Sequence, residues 1–204
     1  MSKKIFGLFI LAVLLLPFAA KADTTAWEYT SPVTTPVTPP ADFTMGVVFT
    51  PTASIIVDEL GYFDDGGITT NHAVGIYNSS GTLIASTIIN SSSSIMTTNF
   101  AFNTVTPVEL LAGSTYVLEG VTGTTDDYTN QVIGLTSYLP ISVVGYNYQL
   151  NGGNLANDTS TGFPTVQFFG ADFGGSIVPE PTSFLLLGSG LAGLAGLIKR
   201  KLTA

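Results

Sequence analysis

The stretch "HAVGIYNSSGTLIASTII", from His72 to Ile89, gives a first indication of the fold class of this chain. Two runs rich in β-branched and apolar residues flank Asn78-Ser79-Ser80-Gly81, whose residue types favour tight turns. We therefore predict a β-hairpin with strands at 72–78 and 82–89.

Runs of the same kind continue on both sides of this hairpin. They predict strands at 45–50, 54–63, 96–102, 115–121, 142–150 and 165–171. No window of about a dozen residues before the C-terminal segment shows the periodicity of a helix. Many short strands at near-regular spacing predict an all-β domain, a single antiparallel β-sandwich of jelly-roll type.

The N-terminus has the pattern of a secretory signal peptide. Lys3 and Lys4 precede an apolar run at 5–18, and Ala20-Lys21-Ala22 forms an A-x-A cleavage site. A membrane-spanning helix would need a longer apolar run. We expect export through the Sec translocon, removal of residues 1–22 by signal peptidase, and a mature chain that begins at Asp23.

Between the signal peptide and the first predicted strand lies "TSPVTTPVTPP", residues 30–40. Its four prolines favour an extended spacer, and the alternative is an edge strand with proline at its margins. The predicted organisation is a signal peptide at 1–22, a Pro/Thr-rich segment at 23–42, a sandwich domain at 43–177 and a C-terminal segment at 178–204.

The charges of the chain are strongly segregated. All six basic residues lie before residue 22 or after residue 198, whereas every carboxylate except Glu180 lies from Asp23 to Val178. An acidic domain without lysine or arginine cannot neutralise phosphates, so nucleic acid and anionic lipid headgroups are expected to be poor partners, and we predict no nucleic-acid partner. The acidity favours solubility after export, and the alternative is cation binding. The chain has no cysteine, which excludes thiol chemistry and disulfides.

The C-terminal segment reads "VPEPTSFLLLGSGLAGLAGLIKRKLTA". Its apolar run at 184–198 would be about 22 Å long as a helix, against a bilayer core of about 30 Å. A basic cluster follows the run and would stop transfer, with this end held in the cytoplasm and the domain outside: Lys199, Arg200 and Lys201. The pattern predicts a short transmembrane helix, at least while the protein is being sorted.

This order of parts resembles the PEP-CTERM sorting signal of Gram-negative bacteria. The matching features are Pro179-Glu180-Pro181, the short apolar helix and the basic tail. The resemblance implies an exosortase as partner, removal of the tail after recognition of the tripeptide, and a place at the cell surface or in an extracellular matrix of exopolysaccharide and biofilm. The alternative is a plain C-terminal anchor.

The body of the chain carries a second resemblance. "LGYFDDGG", "HAVGIYNSSGTLIAS" and "PVELLAGSTYVL" are similar to a β-sandwich module of PEP-CTERM and bacterial surface proteins. The module is called a domain of unknown function, and the similarity spans residues 44–121. It implies the sandwich fold and no particular activity.

The residues that enzymes need are sparse. His72 is the only histidine, no G-x-S-x-G motif is present, and zinc would require several His or Cys ligands. A two-carboxylate hydrolase remains formally open, but no spacing singles out a pair. We predict that the protein has no catalytic residues and is not an enzyme, and that His72 is a structural hydrogen-bonding residue.

Acidic, glycine-rich loops predict a calcium site as the one cofactor. "VDELGYFDDGG" places Asp58, Glu59, Asp64 and Asp65 ahead of two glycines, and Asp126-Asp127 form a second acidic pair. Calcium takes six to eight oxygen ligands, which such loops can supply, and we expect Asp64 and Asp65 to be ligands. The alternative is that Asp-Gly sequences form turns here.

An aromatic stripe predicts a glycan platform. Tyr146 and Tyr148 share one face of a predicted strand, with Trp27 or Tyr62 as further ring partners. Aromatic faces stack on the C–H side of a sugar ring, but such a stripe is equally a feature of a hydrophobic core.

Taken together, these patterns predict an exported, non-enzymatic surface or matrix protein. The alternative is a carbohydrate-binding module delivered by the same route, with a hydrolase as the third hypothesis.

Overall fold

The computed structural model describes residues 24–29, 42–64, 67–95, 99–123, 125–126, 135–149, 154–155, 170–179 and 181–202. This part of the chain contains strands followed by one C-terminal helix. They are β1 Thr24–Thr25, β2 Trp27–Tyr29, β3 Thr44–Pro51, β4 Ile55–Phe63, β5 His72–Asn78, β6 Leu83–Ile89, β7 Ser94–Ile95, β8 Phe100–Leu110, β9 Tyr116–Val121, β10 Leu135–Ser137, β11 Ile141–Gln149, β12 Ala171–Ile177 and α1 Pro181–Leu202.

The strands form two five-stranded antiparallel sheets. The first sheet has the order β1-β12-β4-β8-β7, and the second has the order β11-β3-β9-β5-β6. Strands β10 and β2 form a separate antiparallel pair. The prediction of an all-β, antiparallel fold is therefore confirmed.

One hydrophobic core joins the two sheets. Phe49 of the second sheet stacks on Phe173 of the first, with ring centroids 5.3 Å apart. Trp27 meets the edge of Phe173 at 5.8 Å and is fully buried. Tyr116 and Leu118 alternate along β9 into this core, and a register shift between Val57 and Glu59 moves the core positions of β4 from Ile55 and Val57 to Leu60 and Tyr62.

The hairpin at 72–89 forms as the sequence predicts. Strand β5 pairs antiparallel with β6, and the side-chain Oδ1 of Asn78 accepts hydrogen bonds from the backbone N–H groups of Ser80 and Thr82. Gly81 has a φ of 76°, a conformation that glycine adopts without steric cost. The predicted strands at 45–50, 54–63, 115–121 and 142–150 are likewise present, with ends within a residue or two.

Strand β8 differs most from its prediction. The predicted strand at 96–102 continues to Leu110, through Pro107. The pairing of β8 with β4 shifts register here, since Val57 pairs with Val108 and Glu59 pairs with Thr104. Pro107 lies within this irregularity, where its missing N–H interrupts no regular ladder.

Several strands had no predicted counterpart, and some predictions lie outside the described residues. Short strands β1, β2, β7 and β10 and most of the glycine-containing β12 were not expected. The predicted signal peptide at 1–22, the spacer at 30–40 and most of the predicted strand at 165–171 lie outside the described part of the chain.

Helix α1 begins and ends beyond the apolar run that predicted it. It starts at Pro181, a residue well suited to the first helical position, and includes the basic residues at 199–201. Within the described residues, no helix combines the length and apolar content needed to cross a membrane.

Candidate functional site: the sorting segment and the buried polar groups

His72 lies at the start of β5 with both ring nitrogens close to oxygen atoms. Nδ1 lies 2.9 Å from the carbonyl oxygen of Val121, and Nε2 lies 2.9 Å from Oδ2 of Asp126. The imidazole is fully buried and stacks on Tyr62, with ring centroids 3.9 Å apart and planes 9° from parallel. His72 thus connects β4, β5, the end of β9 and the loop that follows it.

Asp126 collects hydrogen bonds from the loop that precedes β5. The backbone N–H groups of Thr69 and Thr70 donate to its Oδ2 at 2.9 and 2.7 Å, and the hydroxyl groups of both threonines also donate to the carboxylate. Burial would raise the pKa of Asp126, but the hydrogen bonds from Thr69, Thr70 and His72 together hold it well below the ordinary range.

The geometry gives His72 a structural role. Both ring nitrogens of His72 lie within hydrogen-bond distance of an oxygen atom, the carbonyl oxygen of Val121 and the carboxylate of Asp126. Neither nitrogen is therefore free to take a proton from a nucleophile. This arrangement agrees with the predicted hydrogen-bonding role and does not resemble a catalytic triad.

A second polar group lies on the face of the second sheet that is turned away from the shared core. The registers place Asn147, Gly46, Glu119, Gly75 and Ser86 in one row across β11, β3, β9, β5 and β6. Glu119 and Asn147 are almost completely buried, and a Cβ atom at Gly46 would collide with the amide oxygen of Asn147. Gly46 thus leaves space for the side chains of Asn147 and Glu119, whereas Gly75 leaves space for the apolar side chains of Leu83 and Leu155.

Asn154 and Leu155 lie against this outer face. The hydroxyl of Thr44 donates to the carbonyl of Asn154 at 2.7 Å, and Leu155 packs against a cluster that includes Tyr77. Burial, and then the charge of Glu119, raise the pKa of Tyr77. Because Glu119 is fully buried, it is not accessible to a dissolved substrate.

Asp172 is a third buried carboxyl group, next to the N-terminal strands. Its Oδ1 accepts a hydrogen bond from the N–H of Phe173 at 2.7 Å. Burial raises the pKa of Asp172 well above the ordinary value and outweighs the opposing effect of the backbone N–H groups of Phe173, Trp27 and Ala26.

The predicted calcium residues are only partly described. Oδ1 of Asp64 accepts a hydrogen bond from the N–H of Gly67 at 2.6 Å, which is a turn-forming interaction, and Asp65 lies outside the described residues. Asp126 of the second pair is bound to His72, and Asp127 is not described. In the described part of the chain, no three acidic or histidine side chains form a group that could hold a metal ion. Calcium binding stays a prediction.

The predicted glycan platform is also only partly described. Tyr146 is 7% exposed and belongs to the hydrophobic core, and Trp27 and Tyr62 are fully buried. The side chain of Tyr148 lies outside the described residues. The position of Tyr146 favours the core interpretation, and the glycan platform stays a prediction.

The sorting segment leaves the body directly from β12. The N–H of Val178 donates to the carbonyl of Ser54 at 2.8 Å, Pro179 is exposed, and α1 begins at Pro181. Glu180 lies outside the described residues, as do the side chains of Arg200 and Lys201, whereas Lys199 is exposed. The motif therefore follows a folded strand without an intervening domain or long linker.

The chain matches two known family descriptions, one for its C-terminal segment and one for its body. Residues 178–201 match the PEP-CTERM protein-sorting motif, which indicates an exported protein that an exosortase processes. Residues 29–171 match the family described as Domain of unknown function (DUF4082), and the chain belongs to this family. Both resemblances seen in the sequence are thereby confirmed. No curated protein matches the chain.

The buried polar residues Asn147, Glu119 and Asp172 were not singled out from the sequence. Glu119 is the single charged residue in the apolar strand "YVLEGV", and Asp172 directly follows the apolar run "FFGA". A single carboxylate among apolar residues is the sequence pattern from which its burial could have been predicted. His72 and Asp126 are separated by 54 residues, so their contact has no local signature.

Proposed function

We propose that this protein is an exported, non-enzymatic component of the cell surface or extracellular matrix, with a β-sandwich body of jelly-roll type. The observation that carries the proposal is the sorting motif directly after the last strand of the body. The motif delivers the body to an exosortase, which separates it from the tail.

The chemistry of the body supports a role without catalysis. His72 is fully engaged by Val121 and Asp126, and no lysine or arginine lies between Asp23 and Val178. A phosphate clamp, a Schiff-base lysine and a histidine general base are therefore missing from this part of the sequence and the described site.

The C-terminal helix supports transient attachment to the membrane. Its apolar residues favour lipid, and the basic cluster Lys199, Arg200 and Lys201 favours the cytoplasmic side, so the body would be held outside the inner membrane until the tail is removed. The acidic, lysine-free body then stays soluble at the surface or in the matrix.

Replacement of Pro179, Glu180 and Pro181 by alanine tests the proposal. We expect the wild-type protein recovered from outside the inner membrane to lack the apolar tail, and the triple variant to retain it and to stay in the membrane fraction. Intact-mass measurement of both proteins gives the answer. The matched control replaces Ser79 and Ser80, two exposed residues of the β5–β6 turn, by alanine and should be processed normally. A wild-type exported protein that still ends at Ala204 would contradict the proposal.

A further inference from the structure

The connecting segments at the two ends of the body differ in charge, and those described at the end where α1 begins contain no charged residue. We call that end the helix-proximal end. Ile55 pairs with both Ile177 and Leu110, which brings the end of β12, the start of β4 and the end of β8 together. In the second sheet, Tyr116 pairs with both Phe49 and Asn78, so the β5–β6 turn lies at the corresponding end of that sheet.

Hydrogen bonds between loops join the two sheets at this end. The N–H of Thr52 donates to the carbonyl of Pro140 at 2.7 Å, and the N–H of Gly113 donates to the carbonyl of Pro51 at 2.8 Å. The N–H of Ala112 donates to the hydroxyl of Ser54 at 3.3 Å. The helix-proximal end therefore consists of the connecting segments 52–54, 79–82, 111–115 and 138–140, with residues 178–179 leading to the helix.

None of these connecting segments contains a charged residue. Two of them expose large apolar side chains: Leu111 is 54% exposed and Tyr138 is 48% exposed. The carboxylates closest in sequence are Glu109, on β8 just before the end of the strand, and Glu180 of the sorting motif itself.

The opposite end of the body carries acidic residues. Asp42 precedes β3, Asp64 follows β4, Asp126 lies after β9, and Asp172 lies near the start of β12. The registers place all of these strand termini away from the helix-proximal end. Of these four residues, Asp42 and Asp64 are partly exposed, whereas Asp126 is paired with His72 and Asp172 is fully buried.

We infer that the helix-proximal end is a contact surface for the polar interface of the lipid bilayer while the tail is in the membrane. The inference rests on the proposed function, since it requires α1 to be in the bilayer. Only residues 178–180 separate β12 from α1, a reach of about 10 Å at roughly 3.3 Å per residue. So short a tether keeps this end at the membrane surface.

The chemistry of this surface suits lipid headgroups. Uncharged Ser, Thr and Gly loops are not repelled by anionic lipids, whereas the acidic opposite end would be. Tyrosine is enriched at membrane interfaces because its ring is apolar and its hydroxyl is polar, and an exposed leucine gains from contact with the acyl boundary. The short tether and the uncharged connecting segments therefore orient the body with Asp42 and Asp64 away from the membrane.

Because the chain has no cysteine, single-cysteine labelling can test this orientation. We would attach an environment-insensitive dye to Leu111→Cys or Ser80→Cys at the helix-proximal end, and to Asn71→Cys at the opposite end as the matched control. All three positions are exposed. The full-length variants would be reconstituted into phosphatidylcholine vesicles that contain a nitroxide-labelled headgroup quencher. We expect quenching at positions 111 and 80 to exceed that at position 71 several-fold.

Two substitutions of Leu111 that differ in charge but are similar in size refine the same measurement. With the dye at Ser80→Cys, Leu111→Glu should reduce quenching in vesicles that contain anionic phosphatidylglycerol, whereas the uncharged Leu111→Gln should retain more of it. Equal quenching in the two variants would contradict a direct contact of the Leu111 loop with the lipid surface.

The outcomes separate the inference from the proposed function. Protein that floats with the vesicles but shows equal quenching at all three positions overturns the inference and leaves the proposed function intact. Protein that does not float with the vesicles overturns the membrane tether and the inference with it. Differential quenching that requires co-reconstituted exosortase would identify a protein contact and also overturn the lipid contact.

Discussion

At the scale of single residues, Asp126 and His72 hold the loops beside β5 and β9 together. The carboxylate of Asp126 accepts hydrogen bonds from Thr69, Thr70 and His72, and its side chain is only 8% exposed. Hydrogen bonds to charged groups contribute about 1.5–3 kcal/mol each when buried. The pair therefore fixes a segment that its local sequence, rich in Gly and Thr, would leave weakly defined.

We expect Asp126→Asn to lower the free energy of unfolding by about 2 kcal/mol at neutral pH, because the charge-assisted bond to His72 is lost. The folded-state pKa of Asp126 is depressed, so its contribution is present above the ordinary value of 3.8 and is lost as pH falls through the folded-state pKa. The part of this loss of stability that comes from the titration of Asp126 should therefore stay constant from pH 8 to pH 5 and shrink only in stronger acid. Urea unfolding of both proteins measures it. Glu109→Gln on the exposed face of β8 is the matched control, with a change within about 0.5 kcal/mol.

Asp172 should behave in the opposite way. Burial raises its pKa, so its contribution to stability is fully present below 3.8 and is lost as pH rises toward the folded-state pKa. An asparagine side chain does not titrate, and the stability of Asp172→Asn relative to the wild type should therefore increase as pH rises from 5 to 8. Thermal melts across this range test the expectation. A relative stability that is independent of pH would show that Asp172 is ionised throughout.

Among the strands and the helix, the elements that could be predicted are those whose own residue types favour a strand or a turn. The strand β5 and the turn after it are specified by neighbouring residues, and the prediction of both is confirmed. Strand β12 was mostly missed because Gly174 and Gly175 lower its strand propensity. The structure explains these glycines, since a Cβ at Gly175 would collide with the carbonyl of Ile56.

The N-terminal strands could not be predicted from neighbouring residues alone. Residues 24–29 have little patterning, yet Trp27 is fully buried against Phe173, and the N–H of Ala26 donates to the carbonyl of Phe173 at 2.7 Å. These contacts join residues about 150 positions apart, which no window of a single sequence can reveal. The same limit applies to the pair His72–Asp126 and to the burial of Glu119.

We expect Trp27→Ala to lower the free energy of unfolding by about 3–5 kcal/mol, the usual cost of removing a fully buried large aromatic side chain. Tyr138→Ala removes an aromatic ring that is 48% exposed, close to the same strands, and should cost far less. Circular dichroism during urea unfolding follows both variants without relying on tryptophan fluorescence. Similar losses in both variants would mean that Trp27 contributes little to attaching the N-terminal strands.

At the scale of the whole molecule, the body carries many carboxylates and, between Asp23 and Val178, no lysine or arginine. Most of these carboxylates repel one another, and screening weakens that repulsion over about 8–10 Å at physiological ionic strength. We expect added salt near neutral pH to raise the melting temperature of the processed protein.

Acidification from pH 8 to pH 5 should also be tolerated or stabilising. The contribution of Asp172 to the free energy of unfolding increases as pH falls, because its pKa is raised in the folded state. The contribution of Asp126 does not change between pH 8 and pH 5, because its pKa is depressed. Thermal melts after chelation of divalent ions give the net effect, with magnesium and calcium added back separately to test the predicted calcium site. A midpoint that falls steadily on acidification, or that drops with salt, would show that hydrogen-bonded carboxylates outweigh the repulsion.

The position of β12 within its sheet has a mechanical consequence. The strand lies between β1 and β4, pairs antiparallel with both, and continues directly into the sorting segment. Tension applied at this end runs along the strand axis, so the hydrogen bonds on both sides are loaded together in shear and do not open one after another as in a zipper. While the tail proposed above is still attached, the body would therefore resist the drag of flowing water until a whole ladder yields at once.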